Sequence, residues 1–281
     1  MSMDIYAAVT DRIIAALEQN IIPWKKPWVG TGDAVSHATG KPYSLLNQLL
    51  VGRPGEWITF KQALEEGGHV RKGEKSRIVV FWKLLKVKDE DTDEEKEVPF
   101  LRYNSVFHID QCEGITPKYM KPMPDVVQPD AEAEKLMQAY LARSGVTLTE
   151  QPGDTSCYIP SRDAIVLPLK KQFLSTGEYY STAFHEAAHS TGHPSRLNRF
   201  DAESTHFASE SYSKEELVAE LSAAALVHRV GLETGDSFRN STAYIQNWLH
   251  ALKDDKRLIV SAAGRAEKAV QMILGEDVTT V

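Results

Sequence analysis

The 281-residue sequence has few cysteines, no long apolar run and no basic segment followed by an apolar core at its start. Its two cysteines, Cys112 and Cys157, have no Cys-x-x-Cys spacing, which predicts reduced thiols and no disulfide framework. The lack of an apolar run of about 20 residues argues against a membrane span. With 42% hydrophobic residues, the chain can still bury ordinary cores. These features predict a globular, cytoplasmic protein with no membrane partner.

The net charge of −7 is distributed unevenly. Residues 12–88 contain thirteen Lys or Arg against six Asp or Glu, together with four of the five tryptophans. Unpaired bases stack on aromatic rings while cations follow the phosphates, so this combination predicts single-strand binding. The alternative is that the tryptophans anchor a core and the charges form a solvated face. The candidate DNA-binding residues are Trp24, Lys25, Lys26, Trp28, Lys41, Tyr43, Lys61, Arg71, Lys72 and Lys75.

The first half of the sequence predicts a mixed fold with a β-hairpin. Two runs rich in β-branched and aromatic residues, 77–85 and 98–109, predict the paired strands. Seven acids and one lysine in residues 89–97 predict a solvated loop between them. Three helices are predicted by apolar spacing or by a capping threonine, at 4–20, at 45–50 and from Thr59.

A proline-rich stretch divides the chain. Residues 114–130 contain four prolines and predict a linker between a first domain at 1–113 and a second at 131–281. The second domain is predicted to begin with a helix at 131–143 and two short strands. Of these strands, residues 165–167 are the candidate for pairing with an extended peptide. Helices near 241–253 and 261–274 are expected to close the core.

Two histidines in the second domain predict a metal site. His185 and His189 are four residues apart, so on a helix they lie on one face and can bind one metal ion. Glu186 projects from the next position, where its carboxylate can act as general base towards a water held by the metal. Ser175 with Glu178 predicts a capping box at the helix start. The C-terminal end of the helix is predicted at Gly192.

A catalytic zinc site needs a third protein ligand. The metzincin pattern requires a histidine at position 195, and this chain has Ser195 there, so that pattern is excluded. His193 follows the predicted helix end and is expected to be a turn residue or to support a ligand. A downstream helix carries Glu216 and Glu220 one turn apart, so both carboxylates can approach the metal. Ser213 and Glu216 also predict a capping box, which would compete for the Glu216 carboxylate.

The chain resembles the ArdC antirestriction proteins of conjugative plasmids in both halves. The matching strings in the first half are Asp4-Ile-Tyr, Ile13-Ile14-x-x-Leu17, Pro23-Trp-Lys-Lys-Pro-Trp28, Thr39-Gly-Lys-Pro-Tyr43, Trp57-x-Thr59-Phe-Lys-Gln62, Val70-Arg-Lys-Gly-Glu74, Val106-Phe107 and Asp110-Gln111. Those in the second half are His185-Glu-Ala-Ala-His189-Ser-Thr-Gly-His193, Arg196-Leu-Asn-Arg199 and Glu215-Glu-Leu-Val-Ala-Glu220-Leu. Where the family has Val-Phe-Asn, this chain has Val106-Phe107-His108.

The resemblance implies an N-terminal domain that binds single-stranded DNA and a C-terminal zincin-like metallopeptidase domain, acting when plasmid DNA enters a restricting host. The string Glu216-Leu-Val-Ala219 is similar to the Glu-x-x-Ala of metallopeptidases in which the glutamate is the third ligand. Glu220 and His193 are then expected to support the ligands. Candidates for stabilising an oxyanion are His193, Arg196, His206 and Tyr212.

Together these observations predict an α+β protein of two domains: an α/β single-stranded-DNA-binding domain with a β-hairpin, and a mainly helical zincin-like domain with a small sheet. The expected function is antirestriction by a zinc endopeptidase with one Zn²⁺ per chain. Its protein substrate is unknown, and the host restriction machinery is the candidate. The alternative is a DNA-shielding protein whose zinc site is structural or inactive. Glu186 favours chemistry, because a structural zinc site has no use for a general base.

Overall fold

The computed structural model describes residues 4–18, 33–88, 95–119, 129–153, 156–173, 175–200, 210–232 and 241–278. It separates into two compact units. One comprises the described residues of Met1–Val9 and Thr31–Met123, and the second those of Thr10–Gly30 and Pro124–Thr280. Both units mix helices and strands, which confirms the predicted α+β class with two domains. No helix among the described residues has the length and apolar character needed to cross a membrane.

The first unit is built on a curled four-stranded sheet. Its elements are α1 (Ile5–Leu17, shared with the second unit), β1 (Ala34–Ser36), α2 (Leu45–Val51), β2 (Gly55–Thr59), α3 (Phe60–Glu65), β3 (His69–Val70), β4 (Arg77–Lys88), β5 (Glu95–His108) and β6 (Cys112–Glu113). The sheet order is β1-β2-β5-β4, and β3 pairs with β6 separately. Strands β4 and β5 form the predicted antiparallel hairpin, in continuous register from Arg77↔Val106 to Lys88↔Glu95. Thr59 caps α3 with a capping box, as predicted.

Two neighbouring amides on α2 bind both edges of this sheet. Asn47 pairs with the backbone of Val80 on β4: its Nδ2 donates to the carbonyl and its Oδ1 accepts from the N–H, each at 2.7 Å. Gln48 does the same with Ala34 on β1, at 3.0 and 2.9 Å. Because β1 and β4 are the two edge strands, one helix bonds the backbone of a residue on each edge and so joins both edges of the curled sheet.

A buried histidine and its glutamate partners hold the end of the first unit in place. His37 lies between two carboxylates, with Nδ1 2.5 Å from Glu56 and Nε2 2.9 Å from Glu66. Glu56 also accepts hydrogen bonds from the backbone N–H groups of Lys118 and Tyr119. Residues 118 and 119, which fall in the segment predicted as a linker, therefore pack against the first unit. Residues 120–128 lie outside the described residues.

The second unit contains α4 (Pro129–Ser144), β7 (Thr147–Gln151), β8 (Cys157–Ile159), β9 (Ala164–Pro168), α5 (Thr176–Ser190), α6 (Glu210–Val230), α7 (Ser241–Asp254) and α8 (Leu258–Leu274). Its small sheet has the order β7-β9-β8, with β7 parallel and β8 antiparallel to β9. The prediction that residues 165–167 pair with a peptide is wrong, because β9 is the central strand and both its neighbours belong to the protein. Sequence periodicity missed β7, a mostly exposed strand.

Helices α5 and α6 pack closely because small residues lie where they meet. Ala183, Ala187 and Ala188 of α5 and Ala219 and Ala223 of α6 belong to one buried cluster, and four of the five are fully buried. Side chains of this size let two helix backbones approach more closely than Leu or Phe would. This contact determines how near the side chains on one helix come to those on the other.

The N-terminal helix is shared between the units, which the sequence does not predict. Residues from Thr10 onward group with the second unit. Thr10 Oγ1 donates to the Lys256 carbonyl at 2.6 Å, and ion pairs join Asp11 to Lys256 and Glu18 to Lys253. Two helix starts also differ from expectation. Helix α6 begins at Glu210, ahead of Ser213, so the predicted capping box of Ser213 with Glu216 is wrong; α8 begins at Leu258, ahead of Ser261.

Replacing Asn47 by alanine should destabilise the first unit. The substitution leaves the buried N–H and C=O of Val80 without partners, at a cost of about 1–3 kcal/mol for each group. The measurement is the free energy of unfolding from urea denaturation. Asn104→Ala, on the exposed surface of β5, is the matched control and should change it by less than about 0.5 kcal/mol. Equal values for the two variants would contradict the role of Asn47.

Candidate metal centre

The helix that carries the histidines begins as predicted and ends slightly earlier. Ser175 Oγ accepts a hydrogen bond from the Glu178 N–H at 3.2 Å, and α5 ends at Ser190. Gly192 is not a left-handed cap, since the residue that ends the helix is Thr191 in a right-handed conformation. Glycine is needed at 192 for space, because a Cβ there would lie 2.9 Å from the ring of Phe200.

Three donor atoms converge where α5 meets α6. The Nε2 atoms of His185 and His189 are 3.1 Å apart. The carboxylate of Glu216 lies 3.5 Å from the first and 3.2 Å from the second. Ligands held at about 2.0–2.1 Å around a tetrahedral zinc lie about 3.3–3.4 Å from one another. The donor types and their separations therefore fit a zinc-sized divalent ion. Among the described residues, these three form the candidate metal group.

The other ring nitrogens of the two histidines face two further carboxylates. Nδ1 of His185 is 3.7 Å from Glu220, and Nδ1 of His189 is 3.6 Å from Glu215. A carboxylate beside Nδ1 favours the tautomer with its proton on that nitrogen, which leaves the Nε2 lone pair for a metal. Glu220 thus lies where the sequence analysis expected it. Glu215 was not predicted; its one signal was its place directly before Glu216.

A buried arginine holds Glu215 against His189. Arg199 binds both oxygens of the Glu215 carboxylate, through Nε at 3.1 Å and an NH2 nitrogen at 2.6 Å. It also donates to Thr191 Oγ1 and to the Ala188 carbonyl, at 2.7 and 2.8 Å. The Arg199 side chain is 6% exposed and that of Glu215 is 8% exposed. Arg199 therefore joins the end of α5 to the start of α6 and sets the position of the carboxylate behind His189.

The charges in this cluster depend on one another. Burial lowers the pKa of each histidine, but the facing carboxylates outweigh it. Glu216 and Glu220 raise the pKa of His185 above its usual value, and Glu215 and Glu216 raise that of His189 to about 10. Burial raises the pKa of Glu216, but its hydrogen bonds with both histidines hold it far below its usual range. Both histidines therefore hold protons in the metal-free protein, and a divalent cation can replace those protons.

Glu186 is buried beside this cluster. Glu186 is 6% exposed and lies between the two histidines in the sequence of α5. Burial and then the negative charge of Glu186 raise the pKa of the Cys157 thiol on β8. Strand β8 packs against α5, the helix that carries Glu186. Because the sheet order puts β8 at an edge of the described sheet, an edge strand lies against the helix that carries Glu186.

The residues considered above for stabilising an oxyanion were His193, Arg196, His206 and Tyr212. His193 lies in the turn after α5, where its Nδ1 is 2.7 Å from Ser195 Oγ and 3.2 Å from the Ser195 backbone nitrogen. Arg196 binds Asp163 through two nitrogens and donates from Nε to the Ser190 carbonyl, so its guanidinium serves the fold. His206 and the side chain of Tyr212 lie outside the described residues.

The predicted DNA-binding residues are only partly described. Trp24, Lys25, Lys26 and Trp28 lie outside the described residues. Tyr43 packs against a core cluster that contains Trp57, and burial raises its pKa to about 12. The predicted cations that are described, all of them exposed, are Lys41, Lys61, Arg71, Lys72 and Lys75.

His108 replaces the asparagine of the resembling family and serves the fold. Its Nδ1 accepts a hydrogen bond from the Asp110 N–H at 3.1 Å and caps a short 3₁₀ turn. Its Nε2 is 3.1 Å from the Pro54 carbonyl. An asparagine oxygen can accept from the same kind of N–H, so either side chain can cap this turn.

Two solved structures of one protein are similar to this chain over almost its whole length. The metal-free crystal structure of the antirestriction protein ArdC from plasmid R388 superposes with a TM-score of 0.78 at 38% sequence identity, covering 96% of this chain and 97% of that one. This chain belongs to the ArdC antirestriction family. The Mn(II)-bound structure of the same ArdC has a TM-score of 0.77 at 36% identity and covers 97% of this chain and 98% of that one.

Sequence comparisons agree with the ArdC assignment. Residues 3–107 match the N-terminal domain of anti-restriction factor ArdC, and residues 132–265 match the zincin-like metallopeptidase family. A DNA primase TraC of Escherichia coli is 35% identical over 95% of this chain. The chain spans 26% of the length of that relative. A divalent metal site is consistent with both the zincin-like match and the Mn(II)-bound ArdC.

Glu216 and Glu220 should differ in what their loss does to metal binding. Glu216 faces both Nε2 atoms, so Glu216→Gln should largely empty the site. Glu220 faces only an Nδ1, so Glu220→Gln should reduce metal affinity by about 10- to 100-fold. Bound zinc is counted after dialysis against a weak chelator. Metal lost from the Glu220 variant alone would reverse the assignment; metal kept in both would move the third ligand to residues 196–212.

Arg199→Lys should weaken metal binding without touching any ligand. Lysine cannot bind both oxygens of Glu215, so the carboxylate behind His189 loses its fixed position, and metal affinity should fall about 10-fold. The control is Arg196→Lys, which removes a bidentate pair with Asp163 and should lower stability with little change in metal affinity. Chelator competition gives the affinity, and thermal denaturation of metal-free protein gives the stability. Equal affinity loss in both variants would contradict the assignment.

Proposed function

We propose that this chain is a cytoplasmic antirestriction protein that binds single-stranded DNA and carries a zinc-dependent endopeptidase site. Membership of the ArdC family supports the antirestriction role. The observation that carries the peptidase proposal is the donor set of His185, His189 and Glu216, with separations of 3.1–3.5 Å and Glu186 beside it. Three protein donors leave one position of a tetrahedral zinc open, as a catalytic site requires.

The chain is proposed to hold one zinc ion through these three residues. When bound, zinc supplies Lewis acidity, which polarises a carbonyl group and makes a water acidic at neutral pH. Glu220 and Glu215 keep protons on the Nδ1 atoms, so both Nε2 lone pairs remain directed at the metal. A structural zinc site would not need a buried carboxylate such as Glu186 next to its ligands, and this favours the endopeptidase over the shielding alternative.

Glu186 is the proposed general base. Its carboxylate takes the proton of the attacking water and then delivers that proton to the leaving amine of the cleaved peptide. The proton therefore moves from the water oxygen to the Glu186 carboxylate and on to the amine nitrogen. Because Glu186 is 6% exposed, little bulk water competes at this carboxylate.

The substrate is proposed to bind as an extended chain along β8. An extended peptide adds to the exposed edge of a sheet, and β8 lies at an edge, whereas β9 does not. The contact between β8 and α5, the helix that carries Glu186, supports this placement. The proposed substrate is a protein of the host restriction machinery, met when DNA enters the cell.

The first unit is the proposed DNA-binding part. The excess of cations in residues 12–88 and their exposed positions at Lys41, Lys61 and Lys72 support an affinity for phosphates. Because α1 belongs in part to the second unit, DNA binding is best measured on the full chain rather than on a fragment cut at residue 113.

Glu186→Gln should abolish peptide cleavage while keeping the metal. The amide cannot accept the proton, and a lost general base costs about 10²- to 10⁴-fold in rate. Metal content and single-strand affinity should stay at the unsubstituted level, since Glu186 belongs to neither set. Intact host proteins held by this variant, and cut by the unsubstituted protein, are identified by capture from host extract.

Glu178→Gln, the same change in the first turn of α5, is the matched control and should retain full cleavage. Cleavage that persists in Glu186→Gln at the unsubstituted rate would remove the general-base role. Metal retention together with no cleavage by the unsubstituted protein, over a range of host extracts, would favour the shielding alternative.

A further inference from the structure

The β4–β5 hairpin presents two exposed rings and two exposed cations on one face. Phe81 is paired with Arg102, and Lys83 with Phe100. Residues directly opposite each other in a sheet, and residues two apart on a strand, share a face. These four side chains, here called the hairpin face, therefore form a two-by-two arrangement in which each ring has a cation across from it and another along its strand.

The rings of the hairpin face are accessible. Phe81 is 42% exposed and Phe100 is 46% exposed, and both cations are exposed as well. The guanidinium carbon of Arg102 lies 5.0 Å from the centre of the Phe100 ring, within cation–π range. Tyr43, the described aromatic residue that the sequence analysis assigned to DNA, packs against a buried cluster instead. Exposed rings for stacking are therefore found on the hairpin.

The chemistry of this face fits a single nucleic-acid strand better than a protein. Bases stack on aromatic rings irrespective of sequence, and neighbouring Lys and Arg neutralise the phosphates between them. The centres of protein–protein interfaces are depleted in Lys, whereas here a lysine lies beside both rings. Diagonal neighbours on paired strands are about 7–8 Å apart, so each ring can take a separate base.

We propose that the hairpin face is the surface on which single-stranded DNA stacks. This inference rests on the proposed DNA-binding function and gives it a location. Five acids lie in the sequence between the two strands, in residues 89–94, and two more, Glu95 and Glu97, begin β5; together they repel phosphates. The strand therefore crosses the hairpin at the level of the four side chains and does not run along it towards those acids.

The opposite face of the same hairpin provides a matched control. Trp82 is paired with Leu101 and Tyr103 with Val80, so both aromatic residues point away from the hairpin face. Their exposed fractions, 41% and 40%, are close to those of Phe81 and Phe100. Alanine at any of the four positions removes a similar exposed ring from the same two strands.

The experiment measures binding of a fluorescent oligothymidine of about 12 nucleotides to the full-length protein by anisotropy. Phe81→Ala and Phe100→Ala should each weaken binding by at least about 5-fold, since stacking of one base contributes about 1–3 kcal/mol. Trp82→Ala and Tyr103→Ala should change it by less than about 2-fold. Lys83→Ala and Arg102→Ala should each reduce the slope of log affinity against log salt by about 0.7. Urea denaturation of each variant checks that the hairpin unit remains folded.

Equal losses on both faces, or no loss at Phe81 and Phe100, would overturn the assignment of this face. If the unsubstituted protein binds the oligonucleotide and the hairpin-face variants bind equally well, the inference fails while the proposed DNA binding stands. If the unsubstituted protein does not bind, both fail. Loss of host-protein capture in Phe81→Ala with DNA affinity unchanged would assign the face to a protein partner and would also overturn the inference.

Discussion

The close contact between α5 and α6 is the constraint on which the candidate metal centre depends. Alanines in the buried cluster let the two helices approach, and only at that separation does the Glu216 carboxylate reach within 3.2–3.5 Å of two histidine Nε2 atoms. A larger residue at Ala187 or Ala219 would separate the helices and move Glu216 out of the range of a shared ion. The metal centre is therefore a consequence of packing as much as of its ligands.

Four buried carboxylates surround this contact, and their charge must be balanced. Glu186, Glu215, Glu216 and Glu220 are each at most 9% exposed. Isolated buried carboxylates are costly, so such a group is stable only with cations among it. Arg199 supplies one permanent positive charge to Glu215. In the metal-free protein the histidines supply more by binding protons, and a divalent ion offers the same balance at the Nε2 side.

In the first unit, polar side chains position helix α2 against the sheet, whereas in the second unit alanines let α5 and α6 pack together. Asn47 and Gln48 bond the backbone of Val80 and Ala34, one residue on each edge strand, and so join both edges of the sheet to α2. The β4–β5 hairpin is part of this sheet. Both faces of the hairpin expose aromatic residues. Among the side chains that the structure describes, only those of the hairpin face also include an exposed lysine and an exposed arginine. The cation-rich aromatic surface and the candidate metal centre thus lie in separate compact units.

Local pattern in the sequence was enough to determine the histidine helix, the capping of α3 and the β4–β5 hairpin. Each of these follows from hydrogen bonds and side-chain periods within a few residues, and the strings that resemble ArdC point to the family. Tertiary structure decided the rest. Glu216 and Glu220 share one helix face, so only packing against α5 could direct one at the Nε2 atoms and the other at an Nδ1. The role of Arg199, the central place of β9 and the sharing of α1 between units likewise depend on contacts between residues far apart in the chain, and a single sequence contains no periodic signal for such contacts.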